Sequence, residues 1–235
     1  MTPPRVPSPE SRGIFVTGTD TGVGKTLVAT LMLRAWAAHG LSTVGYKPVA
    51  AGCELDAAGR AVNGDALQLL AASTIAPSYE EVNPYALAAP IAPHLAAADE
   101  GVMLSLDRMV QGYRVLASRA ERVVVEGAGG WSVPLDAERT LADLAVALEL
   151  PVVLVVGLRL GCLNHALLTQ AAIVASGLRF AAWVANTIDA DMRERERNVD
   201  ALQARLRAPC IGRIPDLRAD GERGAPALDL DALAI

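Results

Sequence analysis

Two lysines and two acids carry most of the chemistry that can be read from this chain. Lys25 closes the run Gly18-Thr19-Asp20-Thr21-Gly22-Val23-Gly24-Lys25-Thr26, and Lys47 ends a strand-like stretch at 43–46. These are the only two lysines, against nineteen arginines. A lysine is a compact charge on a flexible stem, suited to a phosphate that moves during a reaction, whereas arginine is a rigid planar fork. The run around Lys25 has the order of a phosphate-binding loop. Its glycines let backbone N–H groups close around phosphate oxygens, and the start of the following helix adds partial positive charge. Lys25 would reach the outer phosphates, and the Thr26 hydroxyl could ligate Mg²⁺. The spacing is a variant: five residues separate Gly18 from Gly24, one more than usual.

Magnesium keeps several waters and takes only one or two carboxylates. Glu126 ends the apolar run Val123-Val124-Val125, and Asp65 follows Asn63-Gly64 at a helix start. Each of these residues also has a plainer reading. Glu126 could be a strand-end acid bonding loop amides, Asp65 an ordinary helix N-cap, and Lys47 a solvated surface lysine. The residues alone leave these open. His39, His94 and His165 do not cluster and read as packing or cap residues; Trp131 reads as a lid or as core. The mixed charges at 193–197 read as a solvated helix face.

The elements that must position these groups alternate. Strand-like stretches lie at 14–17, 43–46, 123–126, 151–156 and 180–185, with a last short strand from Cys210. Helical stretches lie at 26–39, 65–72, 105–119, 162–176 and 191–207, with a capped start at Thr140. The proline-broken segment 77–93 reads as loop. Such alternation predicts an α/β fold, a doubly wound and mostly parallel sheet of about seven strands of the P-loop NTPase type, with ligands beyond the carboxyl ends of the strands.

The bulk properties bound the rest. The 235 residues suit one large α/β domain, 13–235, behind a disordered tail, 1–12, that has four prolines and no apolar signal-like core. A net charge of −5 argues against a nucleic-acid surface. Cys53, Cys162 and Cys210, far apart and without a C-x-x-C, fit a reducing cytosol and no structural zinc. The longest apolar run, 152–158, is too short to span a bilayer.

Taken together, several motifs resemble the dethiobiotin synthetase family: the Gly18–Thr26 loop, Gly45-Tyr46-Lys47-Pro48-Val49, Asn83-Pro84-Tyr85, Val125-Glu126-Gly127-Ala128-Gly129-Gly130-Trp131, Leu160-Gly161-Cys162 with Asn164-His165, and Trp183-Val184-Ala185-Asn186. The resemblance runs from about Phe15 to Pro215. It implies ATP-dependent carboxylation and ring closure of 7,8-diaminononanoate with CO2, with ATP and Mg²⁺ as cofactors, in a cytoplasmic homodimer with shared sites and no nucleic acid or membrane. By motif match, Gly22, Val23, Gly24, Lys25, Thr26 and Leu27 would hold phosphate, with Gly127, Ala128 and Gly129 also at the nucleotide. Thr26, Asp65 and Glu126 would hold the metal, and Asn186, Thr187 and Pro215 the adenine. Thr21, Lys47 and Ala51 would meet the diamine. Its carboxylate would rest on Gly161, Cys162, Leu163 and Asn164 of the other subunit. Lys25 and Lys47 would be catalytic. Two positions depart from the family: Ala51 where a serine is frequent, and Gly22 where some members have Glu.

A competing reading keeps the fold and makes the chain a partition or positioning ATPase switch. Such proteins carry a second lysine where this chain has Asp20, and the C-terminal stretch 219–235 offers neither a basic patch nor an amphipathic membrane tail. A third, an amidotransferase-type ligase, would need a glutaminase domain for which the chain has no room.

Overall fold

The computed structural model describes residues 13–216 and 226–233; the expected tail at 1–12 lies outside them. In chain order the elements are β1 (Gly13–Gly18), α1 (Lys25–Ala38), β2 (Thr43–Tyr46), β3 (Ala50–Ala51), β4 (Glu54–Leu55), β5 (Ala61–Val62), α2 (Gly64–Ala72), α3 (Tyr79–Val82) and β6 (Ala86–Leu87). There follow α4 (Pro93–Asp99), α5 (Leu106–Ala117), β7 (Arg122–Glu126), α6 (Leu141–Leu148), β8 (Val152–Leu158), α7 (Cys162–Ala175), β9 (Phe180–Thr187), α8 (Arg195–Gln203), β10 (Cys210–Ile214) and a short 3₁₀ turn, Asp231–Leu233.

Six strands form one sheet in the order β10-β9-β8-β1-β7-β2, and every pairing is parallel. All six strands read from the sequence are in it; no seventh joins it among the described residues. The expected loop at 77–93 holds α3, β6 and the first residue of α4 instead. These pieces are too short to carry a periodic signal, although α4 does begin on Pro93, where a missing N–H costs nothing. The last helix is shorter than expected, Arg195–Gln203 rather than 191–207.

Burial explains the strands. All seven residues of β8 are buried, as a parallel strand covered on both faces requires. Along β1 the side chains alternate: Ile14 and Val16 pack with Met32, Leu33 and Leu69 of α1 and α2, while Phe15 packs with Tyr113 and Leu144 of α5 and α6. A further cluster joins Leu154, Val156 and Trp183 to Val199 of α8. The strand order reverses at β1, which lies between β7 and β8. Crevices for ligands open at such a switch point, and the glycine loop leaves the sheet there.

Candidate active site

The loop between β1 and α1 is built around Gly24, whose φ of +92° lies in the left-handed region, where a side chain would be strained. It is pinned from the neighbouring strands. Thr19 N donates to Val155 O at 3.0 Å, Asn186 Nδ2 donates to Val23 O at 2.8 Å, and Arg159 pairs with Asp20. The Lys25 side chain folds back, Nζ donating to Asp20 O at 3.0 Å. Burial, and then the nearby charge of Lys47, push the Lys25 pKa down to about 8.

Beside the loop lies a cluster of buried charge. Lys47 leaves the end of β2 and Glu126 the end of β7, and they are 2% and 0% exposed. Lys47 Nζ donates to Glu126 Oε1 at 2.5 Å, to Asp65 Oδ2 at 3.1 Å and to Gly127 O at 3.3 Å. The Thr26 hydroxyl donates to the same Glu126 Oε1 at 2.9 Å. Burial alone would pull the Lys47 pKa down, but Glu126 and Asp65 outweigh it and hold the ammonium above the usual lysine value. Burial would likewise raise Asp65, and Lys47, Thr26 and Lys25 together outweigh it, keeping the carboxylate below its usual range.

The geometry removes two of the plainer readings. Lys47 is not a solvated surface residue. The N-cap of α2 is Asn63, whose side chain accepts from Asp65 N and Ala66 N, which leaves the Asp65 carboxylate free to face the cluster. Trp131 is core rather than lid: it is 5% exposed and stands edge-on to Phe15.

Glu126 Oε2 is buried with no hydrogen-bond partner, a costly state unless a ligand uses it. With the Thr26 hydroxyl and Asp65 it gives a set of oxygen donors of the kind a hard divalent cation takes. The donor set therefore fits Mg²⁺.

One cavity of about 740 Å³ covers this ground. Of the residues expected at the site, Thr21, Gly22, Gly24, Lys25, Thr26, Lys47, Ala51, Asp65, Glu126, Ala128 and Gly129 line it. Val23 and Leu27 instead pack in or against the core below the loop, and Gly127 meets Lys47 through its carbonyl. Asn186 holds the loop from beneath, while Thr187 and Pro215 line a separate cavity of about 310 Å³. Gly161, Cys162, Leu163 and Asn164, at the start of α7, line neither. The Cys162 side chain is buried in the core, and its backbone N donates to Arg159 O at 3.0 Å. Sequence reasoning missed Ala50, Asn63, the 90–93 segment and Val133, which complete the lining; Asn63, a cap residue before a glycine, is the one that carried a signal.

Comparison with known proteins adds the following. Residues 12–221 match the family model described as AAA domain. An ATP-dependent dethiobiotin synthetase BioD of Xanthomonas oryzae pv. oryzae (strain PXO99A) is 55% identical over 216 residues, covering 92% of this chain and 96% of that protein. Another, from Pseudomonas paraeruginosa (strain DSM 24068 / PA7), is 53% identical over 223 residues, covering 94% and 97%. Among solved structures, the MinC:MinD cell division protein complex of Aquifex aeolicus superposes with a TM-score of 0.58 at 16% identity, covering 95% of each chain. That likeness concerns the fold alone.

Proposed function

The chain belongs to the ATP-dependent dethiobiotin synthetases, and on that premise we propose how the cavity beside Lys25 and Lys47 is used. The enzyme is a ligase that carboxylates 7,8-diaminononanoate with CO2 and closes the ureido ring, giving dethiobiotin, ADP and phosphate. One amine takes up CO2 as a carbamate, the carbamate oxygen attacks the γ-phosphate of ATP, and the second amine displaces phosphate from the mixed anhydride.

In our reading, the N–H groups at Gly22 to Leu27 and the Lys25 ammonium hold the phosphates, with Gly127, Ala128 and Gly129 alongside. Thr26, Asp65 and Glu126 would hold Mg²⁺, which would offset triphosphate charge. Lys47 contacts the carbamate and the γ-phosphate, and its flexible stem lets the charge follow the oxygen into the mixed anhydride. Every species on this path is anionic, so catalysis is largely positioning and charge stabilisation. Asn186, Thr187 and Pro215 take the adenine, and Thr21 and Ala51 the diamine.

The diamine carboxylate rests on the helix N-terminus at Gly161 to Asn164 of a second copy, which makes the enzyme a homodimer with shared sites. In support, those residues lie outside the chain's own cavity, and Leu160 beside them is 93% exposed. We take 13–235 as one domain working in the cytoplasm; among the described residues no helix is long and apolar enough to cross a membrane.

The observation that carries this reading is the buried Lys47 ammonium held between Glu126 and Asp65 at the mouth of the glycine loop. The test is purified protein with ATP, Mg²⁺, bicarbonate and diaminononanoate, with dethiobiotin detected by mass. The expected result is dethiobiotin and one phosphate per turnover. Phosphate release without the diamine, and no product with it, would overturn it.

A further inference from the structure

The Asn83-Pro84-Tyr85 motif has no part in the chemistry above, yet its first residue closes a ring of hydrogen bonds that begins and ends on Lys47. Asn83 Nδ2 donates to Lys47 O at 2.7 Å. Tyr79 OH donates to Asn83 Oδ1 at 2.9 Å and accepts from Asn63 N at 2.7 Å. Asn63 Oδ1 then accepts from Asp65 N at 3.0 Å, and Asp65 Oδ2 accepts from Lys47 Nζ at 3.1 Å. A second hold on the same peptide comes from Lys47 N, which donates to Val82 O at 2.8 Å.

We propose that Tyr79 and Asn83 are positioning residues that fix the lysine at the end of β2 against the carboxylate at the start of α2. This rests on the roles given above to Lys47 and Asp65. The far end of α2 is already tied to β2, because Gly45 N donates to Ser73 Oγ at 3.0 Å and Thr43 N to Thr74 Oγ1 at 2.7 Å. The near end, which bears Asp65, reaches the Lys47 peptide through Asn63, Tyr79 and Asn83. Tyr79 and Asn83 are 8% and 3% exposed. Packing does not ask for the hydroxyl: the Tyr79 ring sits among core side chains, where phenylalanine would serve. The Asn83 amide is fully used, since its nitrogen also donates to Tyr85 O at 3.2 Å. Tyr79 and Asn83 form the buried middle of this ring, where satisfied hydrogen bonds fix one geometry, and small displacements of reacting groups are costly.

The test is Tyr79→Phe, with Asn83→Ser as a second route to the same break and Asp65→Asn as the control. All are assayed well below the lowest of their melting temperatures. Turnover and the KM for ATP are measured, together with Mn²⁺ affinity by electron paramagnetic resonance in the presence of a non-hydrolysable ATP analogue. Tyr79→Phe is expected to lower kcat about tenfold, as roughly 1.4 kcal/mol of misplacement would, and to weaken Mn²⁺ binding several-fold. The KM for ATP should stay within about twofold, because the glycine loop is outside the ring. A lower melting temperature with parental kcat and parental Mn²⁺ affinity in both ring variants would overturn the proposal and leave a structural role only. If Asp65→Asn weakens Mn²⁺ while the ring variants do not, the metal reading stands and the ring proposal falls. If Asp65→Asn itself binds Mn²⁺ and turns over like the parent, the metal reading falls and the proposal with it.

Discussion

The two ends of the site are built by different means. At the β2–β1–β7 end, recognition rests on side-chain charge taken out of water: Lys25, Lys47 and Glu126 are buried, and Glu126 Oε1 alone accepts from both Thr26 and Lys47. At the β8–β9–β10 end, the groups proposed above to meet the ligands are a helix start and small contacts. The start of α7 presents a helix N-terminus at which Cys162 N already donates to Arg159 O at 3.0 Å while its side chain turns inward, and Asn186 gives one amide N–H to the loop carbonyl of Val23. Charge that must develop and move needs particular side chains held in a dry place. A carboxylate or a purine that only has to be bound can be held by main chain, where residue type matters little. Substitutions should therefore be ruinous at the first end and graded at the second.

The sharpest break in that contrast is Lys25→Met. Turnover should nearly vanish, since the charge-assisted contact is lost where phosphoryl charge is transferred; turnover within threefold of the parent would sink the phosphate-loop assignment. The same variant has a second, opposite effect. Lys25 sits near pKa 8 in the folded protein against about 10.4 when unfolded. Below pH 8 the fold therefore bears the cost of a buried charge, and between the two values the unfolded chain binds more protons, so parental stability rises with pH. Nucleotide-free Lys25→Met should accordingly melt above the parent at pH 7, and the gap should narrow by pH 9. A gap that widens with pH would show that the lysine is well solvated.

Lys47→Arg keeps the charge and should still lose about 10²-fold in turnover, roughly 2.7 kcal/mol, with ATP binding largely retained. The planar guanidinium would have to fit a space where one nitrogen now meets Glu126, Asp65 and the Gly127 carbonyl, and it cannot follow a moving oxygen as an ammonium can. Near-parental turnover would mean that the charged end tolerates exchange as freely as the other.

The opposite end is tested by mixing subunits. Asn164 is exposed at the start of α7, so Asn164→Asp sets a carboxylate where the substrate carboxylate would rest without disturbing the core, as a change at Cys162 would. If the site is shared as proposed, Lys25→Met harms the site on its own chain, and Asn164→Asp the site on the other. Each homodimer should be nearly inactive. In the mixed dimer one site collects both lesions and the other is intact, as twofold symmetry requires. Random mixing makes half the dimers mixed, so about a quarter of parental activity should return. No recovery, with subunit exchange seen by native mass spectrometry, would place the whole site within one chain.

The same contrast governs what could be read from the sequence. Lys25 and Thr26 were legible because a phosphate loop needs glycines, a lysine and a hydroxyl at set spacing. Lys47 and Glu126 were legible as candidates because they end apolar strands, but nothing in the sequence says that a strand-end charge is buried. Asp65 stayed ambiguous because Asn63, two residues earlier, is an equally good cap, and only the structure shows which of them caps α2. The six strands of the sheet were all visible as apolar runs. The segment 77–93 was not, because α3 has only four residues and β6 two; pieces of that size form through tertiary contacts rather than through their own propensity. Tyr79 and Asn83 are therefore invisible as site residues until the fold brings them beside Lys47 and Asn63.

Ala51→Ser is the mildest probe, and it asks whether the charged end also does some of the binding. Ala51 lines the cavity together with Lys47 and Asp65, and it is only partly buried, so a hydroxyl on its Cβ has room to face the ligand. The Ala51 carbonyl already accepts from Asn63 Nδ2, at a long 3.5 Å, and the substitution leaves that contact in place. One added hydrogen bond is worth about 0.5–1.5 kcal/mol, or roughly two- to tenfold in diamine affinity, with kcat close to the parent because Lys25, Lys47 and the carboxylates are untouched. The measurement is the diamine dissociation constant in both proteins by calorimetry. Tighter binding at constant kcat would mean that this end helps to hold the diamine. Unchanged affinity would mean that the hold on the diamine comes from the main-chain donors of α7, which is the division of labour the two ends suggest.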